Sequence, residues 1–380
     1  METCTAEFER LATTLGGVRC DGNPFITLTN PFDLANWTLP LIELLLVAGA
    51  AAGLVHAIRW RRRTGDPSNL IVWIASVLCL LLIEPIAYFP QWFGLENALG
   101  LTFAHNQFTV QFLYNRMPLY IVAMYPVFGY LSYVLIQRTG ILRSNPVIAA
   151  TTVAFTFHCF YEIVDTVGPQ WRWWVWNADL ATSKPALGSI PLVNLQAFSL
   201  GIPFAIALVT ILLTRRRANV GVPLGVLGVC VLVWPVMFLT SAPSFVLDLA
   251  GMSTQSARSW ATWGLVVVAG VVTVAALAAN LRRGIPGDLP RDRFPLVASV
   301  VYLVASAVFW GAAIPDYLDA RGGFTPDGAP IGSLPYAIVT FALSIALLVA
   351  THLDRAPASS DVAAPLDSQT SDRTEKGLVS

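Results

Sequence analysis

Three residues near the middle of the chain have the chemistry to move protons: His158, Glu162 and Asp165. Their spacing of i, i+4 and i+7 confines them to an arc of about 60° on a helix, so all three leave it on one side. The surrounding sequence, TFHCFYEIVD, is apolar, and an ionisable group at the centre of a membrane helix costs on the order of 2.5 to 3.5 kcal/mol. Such a face turns away from lipid and is a candidate site. Two carboxyl groups in different surroundings can divide the roles of acid and base. Glu162, one turn deeper than Asp165, is the candidate acid, and His158 shuttles its proton or orients it. Protonating an alkene, or adding water across one, needs such an acid inside aromatic walls whose π faces stabilise a carbocation.

Other residues of suitable type fall at the same level. Glu84 is followed by Pro85 at the end of an apolar run, and Glu43 stands near the start of another. His105, Asn106 and Gln107, then Asn115 and Arg116, then Asn194 and Gln196 precede or open further runs. Asp248 and Asp316 close two later ones. Trp171, Trp173, Trp174 and Trp176, with Tyr161, Tyr88 and Trp92, would form the walls. The expected site is therefore catalytic at Glu162, Asp165, His158 and Glu84, with substrate held by Trp171, Trp173, Trp174, Tyr161, Tyr88, Asn194 and His105.

Simpler readings exist for each. Trp and Tyr collect at membrane interfaces in proteins of every function. A His, Glu and Asp face can hydrogen-bond neighbouring helices, at about 0.6 kcal/mol per contact. Glu84 can bond backbone N–H groups freed by Pro85, and Glu43 can snorkel to the interface. His158 and Glu162 could share a metal with Asp165 or His105, but there is no H-E-x-x-H and no D-x-x-x-D motif. No nucleotide-binding or nucleophile-elbow motif is present either, and no metal or cofactor is expected.

The elements that carry these residues follow from composition. Of 380 residues 55% are hydrophobic and 12% charged, about half the charge of an ordinary soluble domain. The 23 basic and 23 acidic residues cancel, which leaves no footprint for nucleic acid. A span needs about 20 apolar residues. Nine stretches qualify, near 39–58, 69–89, 117–137, 146–166, 191–213, 221–243, 261–281, 294–315 and 333–351. An all-α polytopic transmembrane bundle is expected, its helical domain covering 39–352. Sixteen Lys and Arg fall in one set of loops and the tail, seven in the opposite set. The basic set marks the cytoplasm, with the N-terminus outside and the C-terminus inside a cell membrane.

Residues 1–38 would form an outer segment in which Cys4 and Cys20 can pair. No cleavable signal is evident there. Residues 90–116 are aromatic and amphipathic but too polar to span, which predicts an interfacial or re-entrant piece. A Trp-rich outer loop covers 168–190. The tail, 353–380, is too poor in large apolar residues to order itself. Cys79, Cys159 and Cys230 lie in apolar runs as small hydrophobes.

Glu84, the Pro118-Leu119 start of a span, Asp165, Trp171, Trp173, Trp174, and then Gly188, Ile190, Pro191 and Asn194 form a pattern. It resembles the polytopic carotenoid hydratase family over about residues 80–200, a third of the chain, although no His directly precedes Glu84. Those integral-membrane enzymes of carotenoid biosynthesis add water to the end of a long isoprenoid. The resemblance implies a membrane-embedded lyase-type hydratase with an isoprenoid or other lipid substrate. Two other classes fit the composition: a proton-coupled secondary transporter, and a non-catalytic scaffold offering 90–116 and 168–190 to a partner. No particular protein partner is indicated.

Overall fold

Apolar runs of this length fold as helices because a bilayer leaves backbone groups no partner outside their own segment. The computed structural model describes residues 2–16, 18–32, 34–97, 100–181, 183–216, 220–252, 254–283 and 292–353. Most of the expected tail, 354–380, lies outside the described residues, as do Arg217, Arg291, Arg355, Arg373 and Lys376 and the side chains of Asp248 and Arg283. Among the described residues nine helices are long and apolar enough to cross a membrane, so the chain is a multi-pass integral membrane protein.

In chain order the elements are α1 (Ala6–Thr13), β1 (Ile26–Leu28), α2 (Leu39–Thr64), α3 (Ser68–Tyr88), a 3-10 turn (Pro90–Phe93), β2 (Phe103–His105), β3 (Val110–Phe112), β4 (Met117–Pro118) and α4 (Leu119–Thr139). A second 3-10 turn (Ile141–Arg143), α5 (Pro146–Asp165), β5 (Trp174–Trp176), β6 (Pro185–Leu187) and β7 (Ile190–Pro191) come next. A π-helical segment (Asn194–Gly201) runs into α6 (Ile202–Arg216), followed by α7 (Val222–Thr240), α8 (Ala242–Leu249), α9 (Gln255–Arg283), α10 (Phe294–Leu318) and α11 (Leu334–His352).

The hub is α5. Of its most apolar eighteen residues 83% are buried, against 22% for α9, whose Val267, Val271 and Val274 are left to lipid. The start of α5 is fixed by Asn145, whose side chain accepts the N–H groups of Val147 at 2.9 Å and Ile148 at 3.3 Å, with Pro146 in the first turn. Inside the helix, Thr152 and Thr156 donate their hydroxyls to carbonyls one turn back at 2.8 and 2.7 Å. These two buried threonines therefore leave no hydroxyl proton unsatisfied in this part of the helix. The helix packs against α4, α6, α9 and α11.

One end of the bundle gathers arginines. Arg138 donates to the carbonyls of Thr351 and Asp292, each at 3.2 Å, and Arg215 bonds the Ser144 carbonyl. The other end carries a cap of short strands. Strand β3 pairs antiparallel with both β1 and β4, β2 with β5, and β6 with β7. Within 90–116 the chain forms, after a 3-10 turn, the strands β2 and β3, whose partners are the distant segments 174–176 and 26–28 and the adjoining β4. Phe8, Leu11 and Leu15 pack with Leu101, Ala104 and Val175 in a small core of their own, next to a Cys4–Cys20 disulfide with Cα atoms 5.7 Å apart. Tyr120, at the start of α4, donates its hydroxyl to the carbonyls of Asn106 at 2.9 Å and Trp173 at 2.8 Å and ties the cap to the bundle.

Candidate active site

Helix α5 brings Asp165 to its last position before the cap, and α3, running alongside α4, brings Glu84 within its last turn. Between them, under β2 and β5, lies a cavity of about 30 Å³, room for a water or two. Glu84, His105, Tyr161, Asp165, Trp174 and Asn194 line it. Six of the eleven residues that the sequence nominates therefore meet at one place. Phe103, Ile121, Met124, Tyr125, Trp176 and Phe198 complete the wall.

The two carboxyl groups are held differently. Asn194 donates its amide to Asp165 Oδ2 at 2.5 Å, and Tyr161 donates weakly to Asn194 Oδ1 at 3.4 Å. Asp165 Oδ1 is buried without a partner. Glu84 Oε2 is likewise buried without a partner, and the Tyr88 hydroxyl lies against the same carboxyl. Tyr88 is also 2.5 Å from His105 Nδ1. Tyr88 thus stands between Glu84 and His105, hydrogen-bonded to the imidazole, and both of these neighbours line the cavity. Burial pushes His105 down to about 3, so its ring is uncharged at physiological pH and its tautomer follows the direction in which the Tyr88 proton points.

The fifth span explains how Asn194 reaches Asp165. From Asn194 to Gly201 it is wound as a π-helix, with i→i+5 bonds. Residues five apart then lie near one face, whereas in an α-helix, at about 100° per residue, they diverge by about 140°. Asn194 and Ser199 consequently both face α5: Asn194 bonds Asp165, and Ser199 Oγ lies 2.6 Å from His158 Nδ1. Neither Ser199 nor its neighbour in this group, Tyr336, stands out in the sequence.

His158 and Glu162 do not line the cavity. His158 has a hydroxyl on each ring nitrogen, Ser199 on Nδ1 and Tyr336 on Nε2 at 2.5 Å. Glu162 Oε1 is 3.7 Å from His158 Nδ1, and both carboxyl oxygens are fully buried without a hydrogen-bond partner. The shared helix face is real, but π winding and α11 divide it into a cavity group and an occluded one. A metal at His158 would have to displace one of its hydroxyls, and no group of three His, Cys, Asp or Glu side chains fit for a metal converges among the described residues.

The tryptophans separate in the same way. Trp174 lines the cavity, whereas Trp173 is fully buried and donates Nε1–H to Thr38 Oγ1 at 2.8 Å. Trp171 donates to the Phe309 carbonyl at 3.2 Å and packs edge-on against Trp37. Arg172 between them has φ 55°, a left-handed conformation uncommon for a non-glycine residue. Trp176 stands across β2–β5 from Phe103 and edge-on to it, and Trp92 stacks on Phe89. Glu43 does not snorkel: it is buried and accepts the Thr109 hydroxyl. Compared with known proteins, the chain matches no family model, no curated protein and no solved structure.

Proposed function

We propose that the protein is a membrane-embedded enzyme that hydrates or cyclises a long unsaturated chain, isoprenoid in type, at the capped end of the bundle. One observation carries this reading: Glu84 and Asp165, on separate helices, each leave one carboxyl oxygen unpartnered around a single aromatic-walled cavity. The Asn194 amide occupies Asp165 Oδ2, which leaves Oδ1 to carry a proton toward an alkene. The rings of Tyr125, Tyr161, Trp174 and Phe198 stabilise the resulting cation. In a hydration, water adds to that cation and passes its proton to His105, then through Tyr88 to Glu84. One C–H and one C–O bond form as the alkene π bond and one O–H bond of water break, and the proton left on Glu84 returns across the water-sized cavity to Asp165, which restores the acid. The excess of Lys and Arg in the opposite loops supports an outer position for this end in a cell membrane.

The test is lipid and pigment extraction from cells carrying Asp165→Asn or Glu84→Gln. Product disappears and precursor accumulates while insertion is normal; unchanged extracts from both variants would refute the enzyme. Proton-coupled transport is a second reading, favoured by the wide π turn beside a carboxyl group, as in the interrupted helices of transporters. Proton-dependent uptake into vesicles, lost in Asp165→Asn with lipids unaltered, would select it. Scaffolding has less support, since the two segments a partner would need pair with each other through β2 and β5.

A further inference from the structure

Two residues of α4 each belong to two cavities. Tyr125 lines the acid cavity and also a second one, enclosed by Val72, Val153, Phe157, Ile202 and Ala207 from α3, α5 and α6. Tyr133 lines that second cavity and a third of about 330 Å³ at the arginine end, bordered by Trp60, Gln137, Arg143 and Arg215. From Ile121 to Gln137 this series follows α4 for about 24 Å, at 1.5 Å per residue. We propose that the three cavities are one interrupted channel for a single amphiphile. A phosphorylated head sits by Arg143 and Arg215, and an isoprenoid chain threads between α3, α4, α5 and α6 until its far end meets Asp165. This rests on the function proposed above and names its substrate class.

The lining matches such a molecule section by section. The middle cavity contains no charged residue and, among its polar groups, only Ser76 and two tyrosines; a desolvated ion would find no ligand there, whereas hydrocarbon loses nothing. The third cavity holds two guanidinium groups, which suit phosphate oxygens. Its acidic neighbour Asp66 is already engaged, accepting the Ser68 N–H and hydroxyl, both at 2.9 Å. At the far end are the aromatic rings and the two carboxyl groups. The middle is pinched to about 10 Å³, so a chain enters as the rings of Tyr125 and Tyr133 turn aside. Gly129 sits one turn from each, and a Cβ there would stand 3.0 Å from Ser76 Oγ. Side-chain size at 129 therefore sets the bore.

Photolabelling of the purified full-length protein with geranylgeranyl monophosphate bearing an ω-end diazirine tests this. Label is expected on Met124, Trp174 or Phe198, competed by unlabelled geranylgeranyl monophosphate and unchanged in Asp165→Asn. It should fall about tenfold in Gly129→Phe, and about tenfold for the corresponding alcohol, which lacks the phosphate. Ala207→Leu, checked by its melting curve, is a second plug should Gly129→Phe misfold. Label scattered over lipid-facing positions such as Leu232 and Val267, indifferent to both plugs, would overturn the channel. Equal labelling by the alcohol would overturn the head site. Cavity labelling with unchanged lipids in Asp165→Asn would remove the enzyme and leave the channel; altered lipids without cavity labelling would do the reverse.

Discussion

Buried ionisable groups are treated in opposite ways at the two ends of this bundle. At the arginine end His56 lies 2.6 Å from both the Tyr130 hydroxyl and Asp292 Oδ2, Arg63 reaches the same carboxylate at 3.1 Å, Asn69 donates to Tyr130, and Phe294 stacks on the imidazole. That group is closed on itself. At the capped end Glu84, Asp165 and Glu162 all retain unpartnered buried oxygens. An unsatisfied buried polar group costs about 1 to 3 kcal/mol, so packing alone would eliminate it. The contrast separates charges that hold helices together from charges left open, and of the open ones it is the pair at the cavity, Glu84 and Asp165, that the proposed function uses.

The largest effect should come from closing an open group. Asp165→Asn is expected to lower product about 10²- to 10⁴-fold, the range for removing an acid or base, with little change in melting temperature; a large stability loss at unchanged turnover would abolish the distinction between the ends. Opening the closed group should do the opposite. Asp292→Asn is expected to destabilise the protein by about 1.5 to 3 kcal/mol, as for hydrogen bonds to charged groups, measured by thermal unfolding in detergent, and to leave turnover intact. The His56 hydrogen bond, aided by Arg63, holds the Asp292 carboxyl well below the usual carboxylate range. Its folded value thus lies under the unfolded one near 3.9, so this stabilisation is complete above about pH 4 and is lost as pH falls below it. Acid titration of the wild type should show that loss, and Asp292→Asn should not.

Glu162→Met should raise stability by about 1 to 2 kcal/mol, because two unpartnered oxygens are exchanged for apolar volume. A fall in stability would mean that Glu162 has a partner inside the folded protein. The smallest effect belongs to Arg63→Ala. That side chain is 58% exposed, and exposed ion pairs contribute about 0.2 to 1 kcal/mol; a larger loss in the same unfolding assay would make Arg63, and not His56, the principal partner of Asp292.

The nine spans could be read directly because each is a property of one contiguous run, and charge counting kept them in register. Asp165, Glu84 and Tyr161 could be nominated for a similar reason: polarity inside an apolar helix is visible locally. What escaped depends on distant segments. Phe198 and Tyr125 look like ordinary apolar-run residues until the cavity forms around them. Ser199 and Asn194 face α5 together only because the span is wound wide, and α-helical periodicity would part them. Glu162 shares a helix face with Asp165, yet it does not line the cavity and lies instead beside His158, which Ser199 and Tyr336 from other segments hold. The strands at 103–105 and 110–112 are three residues each, too short for a period-2 signal, and exist through pairing with β5, β1 and β4. Trp171 and Trp173 belong to the packing and do not line the cavity, a role set by Phe309 and Thr38 from distant segments.

The wide turn of the fifth span also makes the site sensitive to chain length. A π turn accommodates one residue more than an α turn over nearly the same rise, so a further residue inserted between Leu195 and Phe198 exceeds what the turn takes up. Everything on its capped side would then rotate by about 100° relative to α6. Ser199 would stay against His158, while Asn194 would swing off Asp165 and release its second oxygen. A single-codon insertion, harmless to the span as a span, would therefore unmake the cavity while sparing the fold, whereas a deletion there lets the helix close to α with Asn194 and Ser199 four apart and still on one face.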